Sequence, residues 1–283
     1  LKIDNIEQHG EVTTVRVQYN GANDSLKLLL RSDAHHDSVN NKRELEKKHL
    51  DEAVRDGAFI LDFGDLFDGM QGRNDPRRGY QDIRPEFKVA HYFDAIVDDA
   101  ASFYEPYAKN WLLMGKGNHE LSVLKNTQID LTSRLTEKLK VNTGGVGGWV
   151  KFKFEKTNLE SGKAGGRTSV NLRYHHGAGG NGPVTKGVID TARQAVYLPD
   201  ADIVCNGHNH NAYILPLARE RVTDIGKVYR DIAYYLRTPG YKDQGDWERE
   251  KGFAPTPHGA IWVTIRIGRG TKPEIECRSA FDG

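Results

Sequence analysis

Five short segments of this 283-residue chain concentrate carboxylates and imidazoles. They are Ser32-Asp33-Ala34-His35-His36-Asp37, Gly64-Asp65-Leu66-Phe67-Asp68, Gly117-Asn118-His119-Glu120, His175-His176-Gly177 and Gly207-His208-Asn209-His210. Seven of the eleven histidines fall in these places, a concentration that surface scatter would not produce. Carboxylate oxygen and imidazole nitrogen without thiolate suit borderline divalent ions such as Mn, Fe, Zn, Co or Ni. Two such ions held ~3.5 to 4 Å apart need negative charge between them, and Asp65 is the candidate bridge. Gly64, Gly117 and Gly207 fit sharp turns in which the backbone passes close to the ions.

Each segment directly follows a short apolar run, at residues 26–30, 59–63, 111–114, 170–174 and 203–205. Such runs are expected of strands covered on both faces. In an α/β sheet the C-terminal strand ends line one rim, so the five segments are expected to meet in one crevice. Between the runs lie amphipathic helical patterns. Residues 44–55 put Leu50, Ala53 and Val54 on one stripe, and residues 87–104 do the same with Val89, Phe93, Ile96, Val97, Ala100 and Tyr104. The alternation predicts an α/β fold with right-handed crossovers. Residues 13–19 and 260–267 instead alternate apolar and polar, which predicts antiparallel strands with one wet face. The mixed charges of residues 42–48 read as a solvated helix face.

Composition narrows the function classes. The net charge of +1 provides no long-range attraction for nucleic acid, although a local basic patch is compatible with it. No apolar run approaches the ~18 residues of a membrane span, so a soluble, membrane-free protein is expected. The first fourteen residues lack the basic start and apolar stretch of a secretory signal. Cys205 and Cys277 form no CxxC pair, which argues against a disulfide scaffold or thiolate metal site and makes the cytoplasm the default location. Without repeats or a linker, the chain reads as one domain over 1–283, with a motif-bearing core at about 27–210 and C-terminal strands plus a substrate flap at 211–283.

Taken in order, Asp33-Ala34-His35, Gly64 to Asp68, Gly117 to Glu120, His176 (or His175) and Gly207 to His210 resemble the calcineurin-like metallophosphoesterase pattern DxH, GDxxD, GNH(E/D), H and GHxH. The resemblance implies a central two-sheet β-sandwich flanked by helices, a four-layer αββα fold. It also implies two divalent metal ions, with manganese the first expectation. One ion would be held by Asp33, His35 and His210, the other by Asn118, His176 and His208, with Asp65 shared. His119 resembles the catalytic His that protonates the leaving oxygen, and Asp68 the carboxylate that orients it. A hydroxide held between the ions would attack phosphorus in line, with no covalent intermediate.

Other residues stay open on sequence grounds. His176 continues the strand parity of Val170, Leu172 and Tyr174 and is favoured over His175 as a ligand. His36 either reaches substrate or pairs with a carboxylate. Arg73, Arg77 and Arg78 follow the bridging motif and could position phosphate or lie in a solvated loop. Residues 144–148 and 177–182 are glycine-rich but lack the Lys-Ser/Thr of a nucleotide phosphate loop, and read as turns. Tyr234, Tyr235, Tyr241, Trp247 and Phe253, interleaved with Arg237, Lys242 and Lys251, fit core packing, a flap or base stacking.

GDLFD and the paired final histidines resemble the diesterase and nuclease branches. Phe67, Gly69 and Lys116 stand where the Ser/Thr protein phosphatases carry contrasting residues. The expected function is therefore phosphodiester hydrolysis on a phosphate-ester substrate such as a nucleotide or nucleic acid. A tail of about seventy residues after His210 is short for a separate DNA-capping domain. A phosphomonoesterase of small metabolites is the alternative, and a non-catalytic protein-interaction scaffold a remote one.

Overall fold

The computed structural model describes residues 1–21, 24–69, 80–157, 164–179, 185, 187–267 and 272–282. Its strands are β1 (Lys2–His9), β2 (Val12–Tyr19), β3 (Ser25–Arg31), β4 (Phe59–Asp62), β5 (Trp111–Met114), β6 (Gly147–Thr157), β7 (Ala164–His175), β8 (Ile203–Asn206), β9 (Tyr213–Val222), β10 (Val228–Arg237), β11 (His258–Arg266) and β12 (Glu274–Asp282). Its helices are α1 (Arg43–Arg55), α2 (Tyr92–Tyr104), α3 (Asn118–Thr127), α4 (Leu131–Leu139), α5 (Val188–Tyr197) and the short α6 (Asp246–Glu250).

The strands form two sheets. One runs β1-β2-β6-β7-β8-β10-β9 and the other β12-β11-β3-β4-β5. Pairing is parallel along β3-β4-β5 and along β7-β8-β10, so each sheet ends a bundle of parallel strands in the same crevice.

Side-chain alternation explains why the strand sequences are apolar throughout. In β3, Leu28 and Leu30 point into the sandwich, where they meet Val15, Phe152, Phe154 and Leu172 of the facing sheet. Leu29 points the other way, into a layer formed by Leu50 and Ala53 of α1 and Ile96, Val97 and Ala100 of α2. On the far side, Val204 and Tyr235 pack with Ala195 and Leu198 around α5. The result is the four-layer αββα arrangement, with an apolar layer at each interface.

Two expectations need correction. The pattern at 87–104 is not one helix. A short 3-10 turn, Pro85–Phe87, closes through Lys88 N–H to the Pro85 carbonyl (3.2 Å), and α2 begins only at Tyr92, whose hydroxyl is tied to Asp37. Val89 is left exposed. Strand β11 has no wet face, because Trp262 and Ala260 are covered by the helical layer while Ile261, Val263 and Ile265 fill the sandwich. Of the readings open for the aromatic stretch, core packing holds for Tyr235 and Tyr241, which are buried, while Phe253 is exposed. Strand β2 does keep its alternation, with Val15 and Val17 buried and Arg16 facing out. Among the described residues no helix is long and apolar enough to cross a membrane.

One buried ionic cluster underlies the crevice. Arg31 is fully buried and contacts Glu46 and Asp62, each at 2.8 Å. Its guanidinium carbon sits 5.6, 5.4 and 5.1 Å from the ring centres of Tyr104, Trp111 and Tyr241. Burial pushes the Asp62 carboxyl up to about 6 against the pull of Arg31. The other Asp62 oxygen accepts from Gly64 N–H (2.9 Å), so the cluster anchors the turn that leads to Asp65.

Two stability predictions follow from these buried groups. Replacing Arg31 by Met strands two carboxylates in an apolar interior and is expected to destabilise the fold by about 3–5 kcal/mol, read from urea unfolding. His49, 3.0 Å from the Tyr241 hydroxyl, is pushed down to about 4 by burial. The unfolded chain therefore takes up this proton first, and the associated stability is complete above about 6.5 and lost as pH falls toward 4. The slope of unfolding free energy against pH across that window is expected to be shallower in His49→Asn.

Candidate metal centre

The loops after β3, β4 and β5 run side by side before they diverge. Asp33 N–H donates to Gly64 O (2.8 Å), His35 N–H to Asp65 O (3.0 Å) and Gly115 N–H to Asp62 O (2.7 Å). From the other sheet, Gly207 N–H donates to His176 O (2.8 Å), which joins the ends of β7 and β8. Asp33, His35, Asp65 and Asn118 thus arrive from one sheet and His176, His208 and His210 from the other.

These residues meet in three overlapping groups. Asp33, His35 and His210, then His35, Asp65 and His119, then Asp65, His176 and His208, each place their ligand atoms within 4.8 Å of one another. Asn118 joins through Oδ1, 3.0 Å from His176 Nε2 and 2.7 Å from His208 Nδ1. Asp65 Oδ2 lies 3.1 Å from His176 Nε2. Asp65 is therefore shared between groups, as a bridging carboxylate must be.

The donor set fits divalent cations on observations beyond residue type. Asp33 Oδ1 and His35 Nε2 are buried and make no hydrogen bond within the protein, a costly state for polar atoms unless something else binds them. His35 Nδ1–H is directed to Asp68 Oδ1 (2.9 Å), which leaves Nε2 as the open lone pair. Burial pushes the His35 imidazole down to about 4, so it is neutral and able to ligate. His176 likewise gives its Nδ1–H to Phe63 O (3.0 Å) and turns Nε2 inward. Burial opposes a charge on His176, yet Asp65 raises it to about 10, a measure of how strongly this carboxylate attracts positive charge.

Backbone conformation points to the same residues. Among the described residues, the non-glycine positions with positive φ are Asp33, His35, Asp65, His208 and His210, plus Gln128 and Lys140 at helix C-caps. Left-handed backbone is disfavoured for side chains with a Cβ, and its gathering here marks strain held for a purpose. The turns are also tight. A Cβ on Gly64, whose φ is +103°, would lie 2.2 Å from Gly117 N, and one on Gly207 would lie 2.6 Å from Asp33 Oδ2.

His119 begins α3 beside the cluster. Its N–H donates to Asp65 Oδ1 (2.9 Å), and its Nδ1–H is directed to the Asp68 carbonyl (2.7 Å), with Asp68 Oδ1 at 3.2 Å. Its Nε2 lies 3.8 Å from Asp65 Oδ2 and faces the cluster. Burial alone would raise the Asp68 carboxyl, but Lys242 and His35 hold it well below the usual carboxylate range.

Several further residues support the cluster. Lys242 Nζ, nearly buried, lies 3.5 Å from Asp68 Oδ2. Glu120 accepts from Asp65 N–H (3.1 Å), Phe67 N–H (2.9 Å) and Gly117 N–H (2.8 Å), and so staples two of the loops together. Its carboxyl is pushed up to about 7 by burial and by Asp65. Asp37 does the same for the backbone of Asp68 (2.6 Å) and Gly69 (3.1 Å). The motif's own Glu120 was the available signal for the first staple, whereas Lys242 lies in a segment with no motif.

The remaining candidates divide. His36 Nε2 sits 2.7 Å from Asp99 Oδ2, with Arg43 on the same carboxylate, so it pairs and does not enter the cluster. His175 faces away from the cluster, its Nδ1 accepting from Gly177 N–H (2.9 Å). Arg73, Arg77 and Arg78 lie outside the described residues.

No family model matches the chain, and no curated protein does. Solved structures similar to it include a Streptococcus pneumoniae protein described as a predicted phosphoesterase, at 10% identity and TM-score 0.34, covering 90% of this chain and 99% of that one. A Staphylococcus aureus protein named for 5'-nucleotidase, solved with alpha-ketoglutarate, is 13% identical at TM-score 0.47; the chain spans 53% of its length, with 90% of this chain covered. Vps29 of Entamoeba histolytica, complexed with zinc, is 9% identical at TM-score 0.35, with coverage of 90% and 99%. The chain is thus similar to structures that include a predicted phosphoesterase, a protein named for 5'-nucleotidase and Vps29, and its own ordered motifs carry the resemblance to calcineurin-like metallophosphoesterases.

Proposed function

We propose that the chain is a metal-dependent phosphodiesterase working through a pair of divalent cations. The observation that carries this reading is the buried cluster in which Asp33 Oδ1 and His35 Nε2 make no hydrogen bond within the protein while Asp65 is shared between ligand groups. Asp33, His35 and His210 would hold one ion and Asn118, His176 and His208 the other, with Asp65 between them. Bound there, such ions supply Lewis acidity toward phosphoryl oxygens and lower the pKa of water.

The chain's own groups do the rest. Asp68 and its carbonyl hold the His119 ring through Nδ1–H, and in the imidazolium form Nε2 carries a second proton, the one that passes to the departing ester oxygen. Glu120 and Asp37 keep the loops under His119 and Asp65 in register, which preserves the alignment of ligands and acid. Lys242, against Asp68, offsets negative charge where three aspartates are buried together. The choice of diester over monoester rests on the resemblance of GDLFD and the paired final histidines to the diesterase and nuclease branches.

Two measurements test the reading. Asp65→Asn is expected to lower the metal retained after purification from about two ions per chain and to abolish manganese-stimulated hydrolysis; full metal content in this variant would remove the bridging role. His119→Ala is expected to keep its metal and lose about 10²–10⁴-fold in kcat on bis(p-nitrophenyl) phosphate. Faster wild-type turnover of p-nitrophenyl phosphate than of the diester would assign the protein to monoesters, and a metal-independent or absent activity would leave a scaffold.

A further inference from the structure

The half of the seven-stranded sheet farthest from α5 presents an open outer face. Val15, Val17, Phe152, Phe154, Val170 and Leu172 point into the sandwich, so the alternate residues of β2, β6 and β7 point outward. They include Arg16, Lys151, Lys153, Arg167 and Arg173, set against Glu155, with Glu7 added by β1. The chain as a whole is almost neutral at +1, so the fold has gathered cations here that sequence order disperses.

Much of this charge is not neutralised locally. Arg16 shares Glu7 (3.6 Å) and Glu155 (4.0 Å), and Arg167 also uses Glu155 (3.6 Å). Among the described residues, Lys151 and Lys153 pair with no carboxylate. Arg173 gives one N–H to its neighbour's carbonyl and lies over Trp149, 5.8 Å from the ring centre.

The face leads to the metal centre. At its end lies a cavity of about 400 Å³ lined by Arg173, His175, Glu11, Gly145, Val146 and Gly147, among others. Its wall is shared with the ligand loops. The Val146 carbonyl accepts from His176 N–H (2.7 Å) and the Gly145 carbonyl from Lys116 N–H (3.1 Å). Along β7 the order from the cluster is His176, His175 and Arg173, and β6, which carries Lys151 and Lys153, pairs beside it.

We propose that this face and its cavity form a binding track for single-stranded nucleic acid, which presents an internucleotide phosphate to the cluster; the delivery step rests on the phosphodiesterase reading. Lys151, Lys153 and Arg173 match a repeating anion. The cavity offers a guanidinium, an imidazole and backbone groups, which suit the donor and acceptor edge of an unpaired base. A duplex keeps those edges paired. An acidic protein or an anionic membrane would use the charge but has no reason to follow a track that ends at a phosphoester site.

The test is binding of a fluorescent, phosphorothioate-linked thymidylate strand of about twelve nucleotides to the full chain in manganese, followed by anisotropy between ~50 and ~200 mM salt. The wild type is expected to bind, with affinity falling as salt rises. The double variant K151E/K153E, at two half-buried positions of the outer face, is expected to bind about tenfold more weakly, with a salt slope shallower by about 1.4. Its turnover of bis(p-nitrophenyl) phosphate should match the wild type, which also reports that it folds. Failure of the wild type to bind, equal binding by the variant, or equally tight binding of polyglutamate or phosphatidylserine vesicles would each overturn the proposal. If the strand binds as expected but wild-type protein hydrolyses no diester, the track stands and the phosphodiesterase reading falls.

Discussion

Three carboxylates, Asp33, Asp65 and Asp68, are buried in one small crevice, and the rest of the structure is organised around keeping them ionised there. Like charges in a low-dielectric interior repel strongly and each loses its hydration. The compensation comes from imidazoles on every side, from the N–H groups at the start of α3, and from Lys242 against Asp68. Beneath this lies a second layer of the same device. Arg31 is shared by Glu46 and Asp62, and Asp62 in turn holds Gly64, so the ionic contacts run from the crevice down into the helical layer.

The parts of this design that were legible in the sequence are those where chemistry and turn geometry coincide. Strand ends followed at once by Asp, Asn or His, with glycine at the bend, fixed both the rim and its contents. Strand parity and the following glycine turn favoured His176 over His175, because successive side chains alternate faces, and His176 Nε2 lies 3.1 Å from Asp65 Oδ2. The four-layer fold came from the resemblance, since five apolar runs by themselves are equally consistent with one open sheet. What escaped notice had no periodic or compositional mark. Strand β11 looked half-wet because Thr264 and Trp262 share a face, yet that face meets a helix whose cover cannot be inferred from β11 itself. Helix α3 starts inside the GNHE motif at Asn118 and α4 follows soon after, so polar ligand chemistry masks their apolar periodicity.

Lys242 and the outward cations of β6 and β7 illustrate a different limit. Each is an ordinary basic residue among the chain's Lys and Arg, and its meaning depends on which residues the fold brings beside it. Lys242 reaches Asp68 because Tyr241 N–H is tied to the Asp33 carbonyl at 2.9 Å. Lys151 and Lys153 gain neighbours through the parallel pairing of β2 with β6 and the antiparallel pairing of β6 with β7. A net charge of +1 averages over both situations and conceals them.

The candidate ligands are divided between the two sheets, with Asp33, Asp65 and Asn118 on one side and His176 and His208 on the other. Any cation seated in the crevice is therefore a rivet through the open edge of the sandwich. It would couple the spacing of the sheets to occupancy, so that the loaded protein resists splaying at this rim more than the apolar layer alone allows. Mechanical stiffness and chemical competence would then rise and fall together.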